Sequence, residues 1–380
     1  MAPKLRFNET KNTTYSTVTL GDVVQSISSG RSKDCVENGN YKFYGSTGII
    51  GFRSTADYEG TAILIARVGA NAGSLYMVNG KYNVSDNTLI VSADSQFTNY
   101  LYFYLSAINL NKLVYGSGQP LITGSMLKNL KIEIPGTKEQ IKIADFLTSV
   151  DEKITLLNKQ YDLLCQYKKG MMQKFFSQEL RFKDDNENSF PQWSILQLKD
   201  IAIRVTRKNK ENNNTILTIS GKDGLVDQMT YFNKQIASKN VTGYFLIKKG
   251  EFAYNKSYSQ GYPMGAIKML SNYEKGVVST LYICFKLNDE QSCGFYKHYF
   301  ESGLQNRAIE KVAQEGARNH GLLNIGVNDF FDIELQVQSL AEQDKIAHFL
   351  STIEDKIAIK RAELDMLKNW KQGLLQQMFV

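Results

Sequence analysis

Two triplets of charged residues are the part of this sequence most suggestive of catalytic chemistry. Asp151-Glu152-Lys153 and Glu354-Asp355-Lys356 each place two carboxylates beside a lysine, and paired carboxylates can hold the divalent metal of a nuclease. Both triplets fall in segments whose apolar residues recur at helical spacing. We therefore interpret them as part of the solvated charged face of a helix.

Other catalytic motifs are missing from the sequence. No two of the five prolines are adjacent, which excludes the Pro-Pro turn of an amino-methyltransferase. Gly80-Lys81 and Gly221-Lys222 precede Tyr and Asp, so neither matches a triphosphate-binding loop. The four cysteines form no CxxC pair and, with three scattered histidines, no recognisable metal site, so we interpret them as reduced and structural. We predict no catalytic residue, no metal and no cofactor in this chain.

The segments that carry the triplets are copies of each other. Residues 139–176 recur at 342–379, ungapped and offset by 203, and apolar residues alternate at steps of four and three, interrupted only by Lys168, Lys360 and Lys371. A heptad held over about five repeats predicts a coiled-coil seam, with each helix roughly 57 Å long. We expect antiparallel pairing, because similar halves tend to pack about a two-fold axis. The predicted seam residues are Ile143, Leu147, Val150, Ile154, Leu157, Leu164, Ile346, Leu350, Ile353, Ile357, Leu364 and Leu367.

Each long helix follows a globular half, and the halves also repeat one another. Short apolar runs between Gly, Asn and Ser predict β-strands, followed by an aromatic helix, a polar loop and a last strand. The parallel segments are LRF (5–7) with LRF (180–182), FYGSTGIIG (43–51) with ISGKDGLVD (219–227), AILIAR (62–67) with EFAYNK (251–256), and NTLIV (87–91) with STLYI (279–283). The predicted domains are 1–138, 139–180, 181–341 and 342–380.

The net charge of +7 lies entirely on the globular halves. Residues 1–138 hold 13 basic and 9 acidic side chains, residues 181–341 hold 20 and 17, and both helical segments are neutral. Such an excess is compatible with contact to nucleic-acid phosphates, although ordinary scatter would also account for it. The sequence has no apolar run of the ~18 residues that a membrane span needs and no signal peptide, so we expect a soluble, intracellular protein without membrane contact.

This arrangement resembles the specificity subunit of type I restriction-modification systems, the HsdS family. The resemblance rests on EQxKIAxFL at the start of each helix, on AILIARVGANAG, EFAYNKSYSQGYP and YGSTGIIG, and on the GSGQP and GARNHGLLNI loops. It implies an α+β fold, in which two mixed α/β target recognition domains form a pseudo-two-fold repeat and are joined by an antiparallel coiled coil. Each domain is then expected to read one half of a bipartite DNA site, and the helices to set the spacing.

The resemblance also implies partners and a cellular location. Double-stranded DNA, two modification (methyltransferase) subunits and the restriction (translocase and endonuclease) subunits are expected to bind in the bacterial cytoplasm. S-adenosylmethionine, ATP and Mg²⁺ are then expected in the partner subunits. Two alternatives stay open: a coiled-coil scaffold joining two protein-binding domains, which predicts no salt-dependent DNA affinity, and an enzyme with an unrecognised site.

Base edges are read by hydrogen-bond donors and acceptors, and loops on a rigid frame can supply them. The predicted DNA-binding residues of the first half are Tyr44, Ser46, Thr47, Arg67, Asn71, Ser117 and Gln119. Those of the second half are Lys222, Asp223, Asn255, Lys256, Ser257, Tyr258, Gln260, Arg318, Asn319 and His320.

Several residues also have simpler interpretations. Tyr44 could belong to the core, and Arg67 and Lys256 could be surface charges. A basic run from Arg204 to Lys210 suits phosphates, but a solvated loop would explain it as well. The aromatic residues of 100–104 and 295–300 are expected in the core rather than stacked on bases.

Overall fold

The computed structural model describes residues 3–10, 13–113, 121–221, 223–232, 241–259, 261–313 and 323–379. The chain divides into two compact units, which we call unit 1 (Met1–Gln160 with Lys360–Val380) and unit 2 (Tyr161–Ile359). Each unit contains one globular half and a segment of both long helices. The four predicted domains are therefore arranged as two units, because the helical segments share hydrophobic cores with the globular halves.

Unit 1 combines short strands and helices with the first long helix. Its strands are β1 (Ser16–Thr19), β2 (Ser26–Ser29), β3 (Tyr41–Gly45), β4 (Gly48–Arg53), β5 (Tyr58–Glu59), β6 (Ala62–Ala66), β7 (Leu75–Val78), β8 (Lys81–Val84), β9 (Thr88–Ser92) and β10 (Lys131–Ile134). Its helices are α1 (Leu20–Val23), α2 (Ser95–Ala107), α3 (Gly124–Lys128) and α4 (Thr137–Phe176), which continues into unit 2. Short 3-10 turns span Asn8–Thr10, Gly69–Asn71 and Leu110–Leu113.

The sheets of unit 1 pack on each other and on α2. One sheet has the strand order β2-β9-β6-β7, a second has β4-β3-β8-β5, and β1 pairs with β10. Strand β6 is buried on both faces: Ile63 and Ile65 face the core that includes α2, whereas Leu64 packs with Tyr82 of β8. This burial explains why β6 is apolar throughout instead of alternating.

Unit 2 repeats this plan, except that two two-stranded sheets take the place of the second four-stranded sheet. Its strands are β11 (Ser194–Gln197), β12 (Ala202–Val205), β13 (Leu217–Ser220), β14 (Gly224–Asp227), β15 (Phe245–Lys248), β16 (Phe252–Asn255), β17 (Ala266–Met269), β18 (Lys275–Val278), β19 (Ile283–Leu287) and β20 (Glu334–Val337). Its helices are α5 (Leu198–Ile201), α6 (Gln228–Phe232), α7 (Cys293–Ser302), α8 (Asn306–Val312), α9 (Val327–Phe331) and α10 (Leu340–Phe379), which continues into unit 1. The sheet β12-β19-β16-β17 corresponds to β2-β9-β6-β7.

One predicted parallel between the halves is wrong by two residues. Val91 lies opposite Ile63 on β6, and Phe285 lies opposite Phe252 on β16. The counterpart of NTLIV (87–91) is therefore LYICF (281–285) rather than STLYI. A two-residue shift leaves every side chain on the same face of its strand, so the apolar pattern could not reveal it.

The aromatic residues of α2 and α7 belong to the core, as predicted. Tyr100, Phe103 and Tyr104 of α2 are buried, as are all the aromatic residues of α7. The α7 residues concerned are Phe295, Tyr296, Tyr299 and Phe300.

The long helices run antiparallel within each unit. In unit 1, Phe146 of α4 meets Trp370 of α10, with ring centroids 6.0 Å apart. In unit 2, Phe175 of α4 meets Phe349 of α10 at 5.4 Å. Because the early part of one helix meets the late part of the other in both units, the architecture is the predicted α+β fold with long antiparallel helices.

All twelve predicted seam residues are buried or half-buried. The buried ones are Ile143, Leu147, Val150, Ile346, Leu350, Ile353 and Leu364, and the half-buried ones are Ile154, Leu157, Leu164, Ile357 and Leu367. Helix α4 ends at Phe176, before the predicted residue 180. The chain turns there because Gln178 adopts a left-handed φ of 61° and the Leu180 amide donates to the Lys174 carbonyl.

Two heptad lysines pair with the triplets that suggested a nuclease. In unit 1, Lys371 Nζ lies 2.5 Å from Asp151 Oδ1. In unit 2, Lys168 Nζ lies 3.5 Å from Glu354 Oε1 and 3.2 Å from Glu301 Oε2. The first carboxylate of each triplet therefore neutralises a lysine that interrupts the apolar seam.

Each long helix begins at an arginine–glutamate pair in which the glutamate is buried. In unit 1, Arg6 donates from Nε and Nη2 to Glu139 at 2.9 and 2.6 Å. In unit 2, Arg181 donates to Glu342 at 2.9 and 2.8 Å. The repeated LRF and EQ motifs thus meet, and each pair fastens the segment before a globular half to the helix that follows that half.

Candidate nucleic-acid interface

The β3–β4 turn of unit 1 carries two of the predicted DNA-binding residues, Ser46 and Thr47, and follows a third, Tyr44 of β3. Ser46 is half-buried and Thr47 is exposed, beside Gly48 with its left-handed φ of 94°. The Tyr76 hydroxyl donates to the Ser46 carbonyl at 3.4 Å, and the Tyr76 ring lies 3.3 Å from where a Cβ on Gly48 would be. Strand β7 therefore holds this turn in place.

Tyr44 belongs in part to the core. Its ring packs against Tyr82, with centroids 6.5 Å apart, and is half-buried. Burial raises the pKa of the Tyr44 phenol, so the hydroxyl stays protonated at neutral pH and can donate a hydrogen bond.

Arg67 and Asn71 lie at the same end of unit 1 as the β3–β4 turn. Arg67 Nη1 donates to Ser29 Oγ at 2.9 Å, and Asn71 is exposed in the turn between β6 and β7. The residues between β8 and β9 join the two groups: the Ser85 amide donates to the Tyr44 carbonyl, and the Arg67 amide donates to the Asn87 carbonyl. The structure thus brings all five described candidates of unit 1 together.

Unit 2 holds the corresponding turn in the same way. The Tyr262 hydroxyl donates to the Gly221 carbonyl at 2.6 Å, and Gly224 has a left-handed φ of 79°. Asp223 is exposed between them, and its amide hydrogen-bonds to Ser220 Oγ at 3.1 Å. In both units, a tyrosine hydroxyl therefore clamps the equivalent turn by its backbone.

The loop after β16 presents the remaining described candidates. The Ser257 amide donates to Asn255 Oδ1 at 3.1 Å, and Lys256 Nζ donates to the Ile325 carbonyl at 3.4 Å. Tyr258 is 64% exposed, the most accessible aromatic ring in this loop. Asn255 and Lys256 are half-buried and partly engaged by the fold, whereas Tyr258 faces solvent.

Backbone hydrogen bonds support the equivalence of Arg67 and Lys256. The Ile122 amide donates to the Arg67 carbonyl at 2.8 Å, and the Leu323 amide donates to the Lys256 carbonyl at 3.0 Å. Seven further candidates lie outside the described residues: Ser117, Gln119, Lys222, Gln260, Arg318, Asn319 and His320.

Comparison with known proteins shows what this chain is similar to. Residues 12–166 match the type I restriction modification DNA specificity domain. The type I restriction enzyme MjaVIII specificity subunit of Methanocaldococcus jannaschii is 30% identical over 37% of this chain and 35% of its own length. The putative MjaX specificity subunit of the same organism is 25% identical over 68% of this chain and 60% of its own length. Residues 12–166 are therefore similar to the DNA specificity domain of type I restriction enzymes.

A solved structure of an S subunit has the same fold. The S subunit of the type I restriction-modification system from M. genitalium matches with a TM-score of 0.66 and 17% identity, covering 100% of this chain and 99% of that chain. The match to the MjaVIII and MjaX specificity subunits, in contrast, spans less than two thirds of either relative's length.

Sequence reasoning missed other exposed polar residues at the same end of unit 1. Asp86 and Asn87 are exposed between β8 and β9, beside the backbone of Tyr44 and Arg67. Arg31 and Lys33 are exposed on either side of Ser32, whose amide donates to the Val84 carbonyl. The Ser-Asp-Asn turn was visible as a signal, but its position beside Arg67 depends on the strand pairing.

The basic run between Arg204 and Lys210 is largely used inside unit 2. Arg207 binds Glu251 through two hydrogen bonds of 2.9 and 3.2 Å. Lys208 Nζ donates to the Gly243 carbonyl and lies 4.4 Å from the centroid of the Phe245 ring. The charged groups of these two exposed residues are thus partly engaged within unit 2, and their contact with phosphates stays a prediction.

Searches for two other kinds of site were negative within the described part of the chain. No group of three or more His, Cys, Asp or Glu side chains there could hold a metal ion. No helix within the same ranges is long and apolar enough to cross a membrane.

Proposed function

We propose that this chain is a non-catalytic DNA-specificity subunit in which each unit reads one half of a bipartite site. The proposal rests on loops that are arranged alike in the two units. In each unit, a tyrosine hydroxyl bonds to the backbone of the equivalent turn, and a cationic residue follows the equivalent strand. A rigid frame with variable polar tips suits base readout, because the frame fixes position while the tips supply donors and acceptors.

The side chains at these tips suit several base edges. Arg67 and Lys256 match the acceptors of guanine, Asn71 and Asn255 match adenine, and Asp223 can accept from cytosine. Exposed cations such as Arg31 and Lys33 would bind phosphates and position the duplex. DNA binding should therefore weaken steeply with salt.

An exposed apolar face supports docking of the modification subunits on the long helices. In unit 1 it consists of Leu156, Met366 and Trp370, and in unit 2 of Leu163, Tyr167 and Ile359; all six side chains are about half exposed or more. These residues lie outside the seam, and each one in α4 has its repeat counterpart in α10. Two matched faces fit two copies of one modification subunit. We place the S-adenosylmethionine chemistry in that subunit and the ATP and Mg²⁺ chemistry in the restriction subunits.

A methylation assay with the cognate modification subunit tests DNA reading. Asn71→Ala should lower methylation at one half-site by roughly 5- to 150-fold, the equivalent of ~1–3 kcal/mol. Asn79→Ala is the control, because Asn79 is also exposed but lies at the opposite end of β7. Equal effects of the two substitutions, or no methylation of any bipartite site by the unaltered chain, would contradict the proposal.

The spacing role of the helices has a separate test. Inserting one heptad at equivalent positions of α4 and α10 lengthens each helix by about 10 Å, close to the rise of three base pairs. The spacer between half-sites should change while both half-site sequences stay the same. Altered base preference with an unchanged spacer would refute this role.

A further inference from the structure

Unit 2 contains an aromatic cavity on the long helices that the function proposed above does not explain. The cavity has a volume of about 450 Å³ and is lined by Tyr167, Phe182, Phe349 and Ile353, with Lys345, His348, Thr352 and Lys356 around them. Its aromatic floor is rigid, because Phe182 stacks on Phe175 at 5.0 Å and lies 6.0 Å from Phe349. Tyr167 also belongs to the apolar face of unit 2, so the cavity opens within that face.

The rim of the cavity favours a negatively charged group. Among the described residues that line it, none is acidic, whereas Lys356 is an exposed cation and His348 an exposed imidazole. Lys345 is already engaged, since its Nζ donates to Asp185 at 2.7 Å. The cavity therefore combines an apolar lining with basic residues at its rim. It would suit a partner that presents an apolar side chain next to a carboxylate.

The equivalent place in unit 1 is built differently. Trp370 stands at the position of Tyr167, and its ring contacts Phe146, the counterpart of Phe349, at 6.0 Å. Asp145 stands at the position of His348. The larger indole takes space that the phenol leaves open, and the aspartate would repel the carboxylate that the rim of unit 2 attracts.

We infer that the two docking faces are unequal: the cavity of unit 2 receives an apolar side chain flanked by a carboxylate from the modification subunit and binds that subunit more tightly than unit 1 does. This inference rests on the proposed docking of modification subunits. A buried anchor in a pocket commonly dominates an interface, and the rim charges add electrostatic complementarity. Assembly is therefore stepwise, with unit 2 occupied first.

The test is a titration of the full chain with its cognate modification subunit, followed by native mass spectrometry. The unaltered chain should bind the two copies with Kd values that differ by about tenfold or more. Tyr167→Trp with His348→Asp gives unit 2 the residues of unit 1 and should weaken the tighter step to the level of the other. Trp370→Tyr with Asp145→His is the reciprocal variant and should strengthen the weaker step.

The outcomes separate this inference from the function on which it rests. Two equal binding steps, or a tight step that survives Tyr167→Trp with His348→Asp, would overturn the inequality but leave docking intact. Failure of the unaltered chain to bind any copy would overturn both. Circular dichroism of each variant, compared with the unaltered chain, shows that a changed Kd does not come from unfolding.

Discussion

The buried pair between Arg181 and Glu342 should be among the most sensitive points of unit 2. The Glu342 side chain is fully buried and accepts two hydrogen bonds from Arg181 and one from Trp193 Nε1 at 3.1 Å. Hydrogen bonding to Glu342 also raises the pKa of Arg181. Arg181→Met leaves the carboxylate buried without its cation, which costs about 3–5 kcal/mol.

Two comparisons show whether the loss comes from the unpaired charge. Adding Glu342→Gln to Arg181→Met removes that charge and should recover part of the lost stability. Lys199→Met breaks the exposed pair between Lys199 and Asp332, whose side chains are 52% and 47% exposed, and should cost little stability.

The assay is equilibrium urea unfolding followed by tryptophan fluorescence. The chain has two tryptophans, so a Trp370→Phe background leaves Trp193 as the reporter of unit 2. The unfolding midpoint should fall far more for Arg181→Met than for Lys199→Met. A loss of similar size in both variants, or a double variant less stable than Arg181→Met, would refute the reasoning.

Two further predictions concern unit 2 in acid and the clamped turns. Burial works to raise the pKa of Glu301, but the nearby His298, whose Nδ1 lies 3.8 Å from Glu301 Oε2, and the charges of Lys168 and Lys268 outweigh it and lower the pKa to about 2. The ionised Glu301 carboxylate therefore stabilises unit 2 fully above pH 4.5, and this contribution is lost as pH falls from 4.5 to about 2. Thermal unfolding of the Glu301→Gln variant should depend less on pH in that window than unfolding of the unaltered chain. Gly48→Ala should destabilise unit 1 more than Gly224→Ala destabilises unit 2 in thermal unfolding, because both glycines have positive φ but only the Cβ on Gly48 would press on a ring; equal losses would contradict this reason.

The periodic spacing of apolar residues predicted the long helices and their seam. The heptad predicts the long helices and their seam because each apolar position depends only on its own helix. The same reasoning placed NTLIV two residues away from its true parallel, because strand register depends on a partner distant in sequence. The pairing of Asp151 with Lys371 likewise depends on how the helices meet.

The candidate interface was predictable only in part for the same reason. Arg67 and Lys256 stand out in the sequence because each ends a strand-like run in a repeated segment. Asp86 and Asn87 form a Ser-Asp-Asn turn that the sequence shows, but only the pairing of β6 with β9 brings them beside Arg67. The engagement of Arg207 by Glu251 was also hidden, since 44 residues separate the two.

Methylome sequencing of cells that express this chain with its modification subunits tests the central claim most directly. We expect methylated adenines in one bipartite motif: two constant half-sites separated by a spacer of fixed length and arbitrary sequence. Replacing residues 15–138 with the corresponding segment of a relative should change one half-site and leave the other half-site and the spacer unchanged. A continuous motif, or a replacement that alters both half-sites, would contradict the account.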